Sequence, residues 1–307
     1  MVTGAVLIAA NMQSEEKGFL PLRTLGSITV VERVVSTFLQ AGINKIVLVT
    51  GEHAEEIEKQ MNHMGIICLR NENYLCSDML QSAKIGFSFL VEQCDRIGFC
   101  PVDIPMFTAE TVKKAAGAKE VVISPSYKGK GGHPLFMDRD VVEKILQYEG
   151  EGGIPEAIRF YGYRKAWFEV ADEGTLFDLA KTEVSKDLVN SHKKQMLHPQ
   201  LKLSIGREQN FFGPGPVQLL ELIENTGSVR SACQLMNISY SKGWKMIRLM
   251  EEQWEHKIVK RQQGGTTGGC SYLTEEGKDL ISRYLNFQKE VKQEVDLKFE
   301  KYFANLK

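Results

Sequence analysis

Three loops in the first half of the chain carry side chains suited to phosphate and metal chemistry. Asp103 follows an apolar run and lies between prolines in the sequence PVDIP, and a stiffened carboxylate at the end of a strand is suited to holding Mg²⁺. Lys17 follows the first apolar run, where an ammonium group can face phosphate oxygens. His133 lies in a third, glycine-rich loop. Each residue alone also has an ordinary interpretation: Asp103 as a turn or capping residue, His133 as a satisfied loop histidine, and Lys17 as a surface lysine.

A second set of polar and basic residues surrounds the start of a predicted helix in the last third of the chain. In a helix-turn-helix the first residues of such a helix meet DNA base edges, and more distant basic residues meet phosphates. Trp244, at core spacing on the same helix, is expected to pack inside. The DNA-binding candidates are Ser239, Tyr240, Ser241, Lys242 and Lys245 at the helix start, Arg248 further along, and Lys260 and Arg261 beyond the helix.

The three loops that carry Lys17, Asp103 and His133 must be positioned by strands that alternate with helices. Such alternation is typical of a doubly wound, mostly parallel α/β sheet. In these sheets ligands bind beyond the carboxyl ends of the strands, so the three loops are expected to meet at one edge. The predicted strands are 2–9, 45–50, 65–69, 96–100 and 121–124, and the predicted helices include 30–40, one ending near 61, and 78–91.

The DNA-binding candidates in the last third of the chain must be positioned by short helices and a hairpin. Two turns separate three helical patterns. The uncharged, glycine-rich segment 262–269, preceded by the basic residues Lys257, Lys260 and Arg261, predicts a wing, although a disordered loop has the same composition. Phe211 to Pro216 is expected to be a non-helical turn before the first helix, with Pro216 at its first position. These elements predict an α+β winged helix-turn-helix domain with a long C-terminal helix. The predicted helices are 217–225, 229–236, one from 240, and 274 to about 303.

The composition describes an ordinary globular protein long enough for two domains. Of 307 residues, 43% are hydrophobic and 25% charged, which allows each domain its own core. Acidic residues outnumber basic ones before residue 200 and the reverse holds after it, which suggests different partners. Six cysteines without zinc-ligand spacing, and no signal peptide or bilayer-length apolar run, predict a cytoplasmic protein without membrane partners. The expected boundaries are 1–189 for the first domain, 190–200 for a polar linker and 201–307 for the second domain.

From residue 2 to about 188 the segments resemble, in order, the MobA-like nucleotidyltransferase family, which includes the cytidylyl- and guanylyltransferases of the molybdenum cofactor. The resemblance is carried by Lys17 with GFLPL, the run from Asn71 to Gly86, PVDIP, Gly132-His133-Pro134 and the turn at 150–153. In the family, Mg²⁺ and the lysine stabilise charge on the triphosphate during attack by a phosphate oxygen. The resemblance implies that Lys17 and Asp103 are catalytic, that Asp103 and Asp178 bind Mg²⁺, and that Asn11, Lys17, Asn73, Ser77, Ser82 and His133 bind the nucleotide.

The chain departs from the family pattern at the same site. Asn11 stands where the family has glycine, in a shorter loop with two glutamates that would repel a triphosphate. The second metal carboxylate is expected near Ala180, so Asp178 or Glu183 must take its place. Two serines of the family are also replaced. Together these departures predict a degenerate domain that binds a ligand without fast NMP transfer.

The last third closely resembles the DNA-binding domain of the molybdate-responsive, ModE-type regulators, which are related to LysR-type winged helices. The resemblance is carried by FFGPGP, Thr226-Gly227-Ser228, the run Ile238 to Trp244, the glycine-rich wing, and Leu273 to Gly277. It implies binding to double-stranded DNA and a homodimer formed through the last helix, although that helix could instead fold back on the first domain. A two-fold dimer would read an inverted repeat. The apolar stripe of this helix is Ile281, Tyr284, Val291, Val295, Phe299 and Tyr302.

The sequence therefore favours a transcriptional regulator of molybdenum-cofactor or molybdoenzyme genes, whose first domain senses a nucleotide or a molybdopterin-type ligand. One alternative is an active Mg²⁺-dependent nucleotidyltransferase that moves NMP from CTP or GTP to a molybdopterin-type acceptor, with a regulatory DNA-binding domain attached. A second alternative is a constitutive DNA-binding protein whose first domain is only a scaffold.

Overall fold

The computed structural model of the chain describes residues 1–10, 18–262 and 270–303. The chain divides into two compact units, unit 1 (Met1–Leu197) and unit 2 (His198–Lys307). No helix within the described ranges is both long enough and apolar enough to cross a bilayer.

Unit 1 is a mostly parallel sheet covered by helices on both faces, as predicted. Its strands are β1 (Thr3–Ile8), β2 (Thr24–Leu25), β3 (Ile28–Thr29), β4 (Lys45–Thr50), β5 (Ile67–Arg70), β6 (Arg96–Pro101), β7 (Val122–Tyr127), β8 (Lys130–Gly131), β9 (Leu135–Asp138) and β10 (Ala166–Glu169). Its helices are α1 (Val30–Gln40), α2 (Ala54–Met61), α3 (Met79–Leu90), α4 (Ala109–Ala116), α5 (Arg139–Gln147), α6 (Gly153–Phe160) and α7 (Lys186–Gln195).

The strand order of the large sheet is β10-β7-β9-β6-β1-β4-β5, with β8 paired to β7. Only β9 runs antiparallel to both its neighbours in this order. Strands β1 and β6 are buried almost throughout, because a strand between two helix layers has apolar side chains on both faces. Phe38 of α1 and Phe107 belong to the core on one face, and Phe87 of α3 belongs to the core on the other. The carboxyl ends of the parallel strands therefore share one edge.

The segment 190–200, interpreted as a linker, differs in the structure, because α7 extends to Gln195. Ser185 begins the helix by accepting a hydrogen bond from the Leu188 backbone N–H. Leu188 and Val189 pack against the core, and His192 is buried. A helix with so few buried side chains has little apolar periodicity, so its pattern looks like that of a linker.

Unit 2 contains β11 (Ile205–Gly206), β12 (Asn210–Phe212), α8 (Pro214–Thr226), α9 (Val229–Leu235), α10 (Tyr240–Trp254), β13 (Val259–Gln262), β14 (Cys270–Leu273) and α11 (Glu275–Phe303). Ser228 and Ser239 cap α9 and α10, and the β13–β14 pair is antiparallel, as expected for a winged helix-turn-helix. The prediction that Phe211 to Pro216 is entirely non-helical is wrong, because α8 begins at Pro214. Prolines fit the first turn, where backbone N–H groups have no partner within the helix.

Candidate functional sites

Asp103 follows β6 at the carboxyl edge of the sheet of unit 1. Its Oδ1 atom is buried and has no hydrogen-bond partner within the described part of the chain. Burial, followed by the negative charge of Asp178, raises the pKa of Asp103 to about 6. An unsatisfied carboxylate oxygen beside a second carboxylate is a favourable place for a cation.

Asp178 is held next to Asp103 by the backbone, since the Leu179 N–H donates to the Asp103 carbonyl oxygen at 2.8 Å. The Asp178 carboxylate also accepts hydrogen bonds from the Ala180 N–H at 2.9 Å and from Lys181 Nζ at 2.6 Å. The Lys181 side chain is 80% exposed, so it can move aside. Asp178 thus places a second carboxylate near that of Asp103.

The carboxylate pair fits Mg²⁺ as a partial site. Within residues 1–10, 18–262 and 270–303, no group of three or more His, Cys, Asp and Glu side chains could hold a metal ion. Mg²⁺ is commonly held by only one or two carboxylates and completes its coordination with substrate phosphates and water. Asp103 and Asp178 therefore suit a metal ion that arrives with a phosphorylated ligand.

Asp172, which the sequence did not single out, ties the two carboxylate-bearing segments together. It accepts hydrogen bonds from the Thr108 N–H at 2.8 Å, from Thr111 Oγ1 at 2.6 Å and from the Gly174 N–H at 3.1 Å. The two segments approach so closely at Gly174 that a Cβ atom there would lie 1.9 Å from the Met106 carbonyl oxygen. Asp172 and Gly174 therefore fix where Asp178 lies relative to Asp103.

A polar cluster at the end of β5 contains three of the predicted nucleotide-binding residues. The Asn71 side-chain amide donates to Ser77 Oγ at 2.7 Å and to Ser82 Oγ at 2.9 Å, and its oxygen accepts from the Asn73 N–H at 3.0 Å. Asn73 is exposed and Ser77 is half-buried, whereas Ser82 is fully buried. Ser82 therefore orients Asn71, and only the other two residues are open to a ligand.

His133 lies just before β9, at the same edge of the sheet. Its backbone N–H donates to the Thr175 carbonyl oxygen at 2.9 Å. Its Nδ1 atom is buried and has no partner in the part of unit 1 that is described. Burial, followed by the positive charge of Lys165, lowers the pKa of His133 to about 4, so the ring is neutral at pH 7. Lys165, whose Nζ lies 3.8 Å from the centre of the Trp167 ring, is a second residue that the sequence did not single out. The remaining predicted residues of this site, Asn11 and Lys17, lie outside the described residues.

The predicted recognition helix of unit 2 presents its candidates to solvent. Ser239 accepts a hydrogen bond from the Lys242 N–H at 3.2 Å and caps α10. The spacing of 241, 242, 245 and 248 places these positions on adjoining sides of the helix. The exposed candidates in and beside α10 are Ser239, Tyr240, Ser241, Lys242, Lys245 and Arg248, and Lys260 and Arg261 are exposed on β13.

Arg261 has a contact that its sequence position did not indicate. Its guanidinium group donates to the Tyr240 hydroxyl at 2.6 Å and lies 3.9 Å from the centre of the Trp244 ring. The Trp244 ring is half-buried, and its Nε1 atom has no partner among the described residues. Arg261 thus joins the base of the β13–β14 pair to the start of α10.

The long helix α11 is packed only near its beginning. Thr274 caps it, Leu280 and Tyr284 are buried, and the Tyr284 hydroxyl donates to the Leu203 carbonyl oxygen at 3.0 Å. No residue of α11 after Tyr284 is buried. Large side chains exposed beyond that point are Leu285, Phe287, Leu297, Tyr302 and Phe303.

Comparisons with known proteins divide the chain in the same way. Over 89 residues in its C-terminal region, the chain is 34% identical to the transcriptional regulator ModE of Yersinia pestis and 33% identical to the DNA-binding transcriptional dual regulator ModE of Escherichia coli K12. Each match covers 29% of this chain and 34% of the regulator, so the chain spans about a third of the length of these relatives.

The fold of unit 1 is found in solved structures. A homologue of Mycobacterium tuberculosis Rv0371c from Mycobacterium sp. strain JC1 superimposes with a TM-score of 0.51 and 18% identity over 62% of this chain and 97% of that one, a likeness of fold alone. The family model of the MobA-like NTP transferase domain matches residues 9–166. The match covers half of the chain and contains Asp103, Asn73 and His133, and the chain therefore belongs to the family with the MobA-like NTP transferase domain.

Proposed function

We propose that this chain is a DNA-binding transcriptional regulator of molybdenum-cofactor or molybdoenzyme genes, and that unit 1 is its ligand-sensing part. The observation that carries the proposal is the joint presence, in unit 2, of a capped helix with exposed Lys242, Lys245 and Arg248 and an antiparallel strand pair with exposed Lys260. Exposed cations on a recognition helix and on an adjacent strand pair are the groups with which winged helices contact the phosphates of duplex DNA. The similarity to ModE regulators supports the same assignment.

In unit 1, we assign Asp103 and Asp178 to Mg²⁺, and Asn73, Ser77 and His133 to the nucleotide. Bound Mg²⁺ would neutralise charge on the phosphates of the ligand. The neutral ring of His133 donates a hydrogen bond to the Phe99 backbone, which leaves the unpartnered Nδ1 atom as an acceptor for a ligand N–H or O–H group. We add Asn11 and Lys17 to the proposed site on the basis of the sequence alone.

The second candidate function is NMP transfer from CTP or GTP to a molybdopterin-type acceptor. The specific observation in its favour is the Asp103–Asp178 pair, which supplies two carboxylates where the sequence suggested that one was lost. The glutamates beside Lys17 favour ligand binding without fast turnover, because they oppose the triphosphate. Release of pyrophosphate from CTP or GTP in the presence of the acceptor would distinguish the two functions.

The test of DNA binding is a fluorescence-anisotropy titration of the full chain against a random-sequence duplex over a range of salt concentrations. The double variant Lys242→Ala/Lys245→Ala should bind at least about tenfold more weakly and with a smaller salt dependence, because lost cations release fewer counterions. The double variant Lys113→Ala/Lys144→Ala removes the same charge from exposed positions of unit 1 and should bind normally. Equal binding and salt dependence for all three proteins would show that α10 is not the recognition helix.

A further inference from the structure

Helix α7 is the last helix of unit 1, and only two residues separate it from His198, where unit 2 begins. Its second half carries a buried polar bridge. His192 is 3% exposed, and its ring nitrogens contact Arg33 Nη1 at 3.0 Å and the Phe107 carbonyl oxygen at 2.9 Å. Because guanidinium can only donate, Nδ1 must accept from Arg33, and Nε2 must carry the proton that is donated to Phe107. Burial lowers the pKa of His192, in agreement with this neutral form.

One end of the bridge is attached to the candidate metal site. Phe107 lies four residues after Asp103, in a segment whose Val102, Ile104 and Phe107 side chains are all buried. The segment is also anchored at Thr108 by Asp172. A closely packed segment transmits a shift at one end to the other. A cation bound by Asp103 and Asp178 would therefore act on the Phe107 carbonyl group through this segment.

The other end of the bridge is attached to the segment after the first loop. Arg33 is 1% exposed and donates to the carbonyl oxygen of Leu25, the last residue of β2. The same guanidinium donates to Met196 Sδ at 3.2 Å, just beyond α7. His192 and Arg33 thus connect the end of α7 to both chain segments that follow the proposed ligand-binding loops.

We propose that His192 is a positioning residue that couples occupancy of the Asp103–Asp178 site to the packing of α7, and hence to the connection with unit 2. This inference rests on the proposed ligand-sensing function. The bridge is buried, so a displaced Phe107 must either carry His192 with it or leave polar groups unpaired, which costs free energy. Coupling of this kind requires a ligand that favours one of two arrangements of α7.

Hydrogen–deuterium exchange of the full chain tests the proposal, with Mg²⁺ plus CTP and Mg²⁺ plus GTP as probes and calorimetry to measure their binding. In the wild-type protein, we expect a bound probe to change amide exchange in 186–197 severalfold. In His192→Ala the probe should still bind, but exchange in this segment should no longer respond to it. His192→Gln keeps a donor for Phe107 and an acceptor for Arg33, so it should preserve the response.

Gln40→Ala is the matched control. It removes a different contact of α7, the hydrogen bond from Gln40 Nε2 to the Gln195 carbonyl oxygen at 3.0 Å, and it leaves the bridge intact. This variant should raise the basal exchange of 186–197 and keep the response to the probe.

The outcomes separate this inference from the proposed function. If neither probe binds the wild-type protein, ligand sensing by these nucleotides fails and the coupling fails with it. If a probe binds and exchange in 186–197 does not change, only the coupling is overturned. A response that persists in His192→Ala would show that α7 responds through other contacts and would remove His192 from this role.

Discussion

At the scale of single residues, Asp103 shows how burial prepares a carboxylate for a cation. Its Oδ1 atom has no partner within the described ranges, and Asp178 adds a second negative charge nearby. Burial, followed by the charge of Asp178, favours the protonated form and raises the pKa of Asp103 to about 6. A bound divalent cation would reverse this preference, because it stabilises the ionised carboxylate.

The pKa of Asp103 gives metal binding a definite pH dependence. Mn²⁺ serves as a paramagnetic probe in place of Mg²⁺. Because Mn²⁺ must displace the proton of Asp103, its affinity for the site should be constant above about pH 7 and should fall by roughly tenfold per pH unit below about pH 6. Electron paramagnetic resonance of free Mn²⁺ measures this affinity. Asp103→Asn should bind weakly at every pH, and Asp187→Asn, at an exposed position in α7, should behave like the wild-type protein. A pH-independent affinity would remove Asp103 from the metal site.

At the scale of elements, sequence patterns located those with strong apolar periodicity and missed those that depend on a few contacts. The ranges of α1 and β4 agree with the prediction to the residue, because their buried positions repeat regularly. Helix α7 was missed, since its docking depends on the buried bridge at His192. The aspartate after β6 was predicted from its neighbours, but its pairing with Asp178 was recognised only by resemblance. Asp172 was not predicted as a site residue, because its partners Thr108 and Thr111 are distant in sequence. Lys165 was missed because His133, whose pKa it lowers, is also distant in sequence.

The β13–β14 pair and α10 are predicted to act as one unit through Arg261. Arg261→Lys keeps the charge but loses the planar group that stacks on Trp244 and reaches Tyr240. We expect this variant to bind DNA more weakly with an unchanged salt slope, because no phosphate contact is lost. Lys260→Ala should instead lower the salt slope by about one. The measurement is the anisotropy titration over a range of salt concentrations.

The opposite pattern would contradict this role for Arg261. If Arg261→Lys binds like the wild-type protein and Arg261→Ala lowers the salt slope by about one, Arg261 contacts a phosphate directly. Arg261 would then bind DNA in the way its sequence position suggested, and its contact with Tyr240 would not be needed.

At the scale of the whole molecule, the sequence was sufficient to predict an α/β unit followed by a winged helix-turn-helix. Each part has its own complete pattern of apolar residues, turns and caps, so each could be recognised without the other. The quaternary arrangement could not be predicted in the same way, because one apolar stripe can pack against a partner or against the same chain. We predict the first of these from the resemblance of unit 2 to the ModE-type regulators.

We therefore expect the chain to form a homodimer through the second half of α11. Val295 lies on the apolar stripe in this half of the helix, and Val295→Asp should shift the protein to monomers because an apolar contact would be replaced by a buried charge. Sedimentation velocity at matched concentrations measures this shift. Gln293→Glu, at an exposed polar position in the same half of the helix, should remain dimeric. A monomeric wild-type protein would contradict the predicted dimer, and a Val295→Asp dimer of unchanged affinity would place the interface elsewhere.

The close approach at Gly174 has a consequence for how mutations would be tolerated across the chain. Any side chain at this position must push the segment before Asp178 away from Met106, although residue 174 itself faces no proposed ligand. In a complete substitution scan with metal binding as the readout, Gly174 would therefore tolerate as few substitutions as Asp103. The positions sensitive to substitution in such a scan would outnumber those that contact a ligand. The additional positions would be those that hold the carboxylates of Asp103 and Asp178 close together.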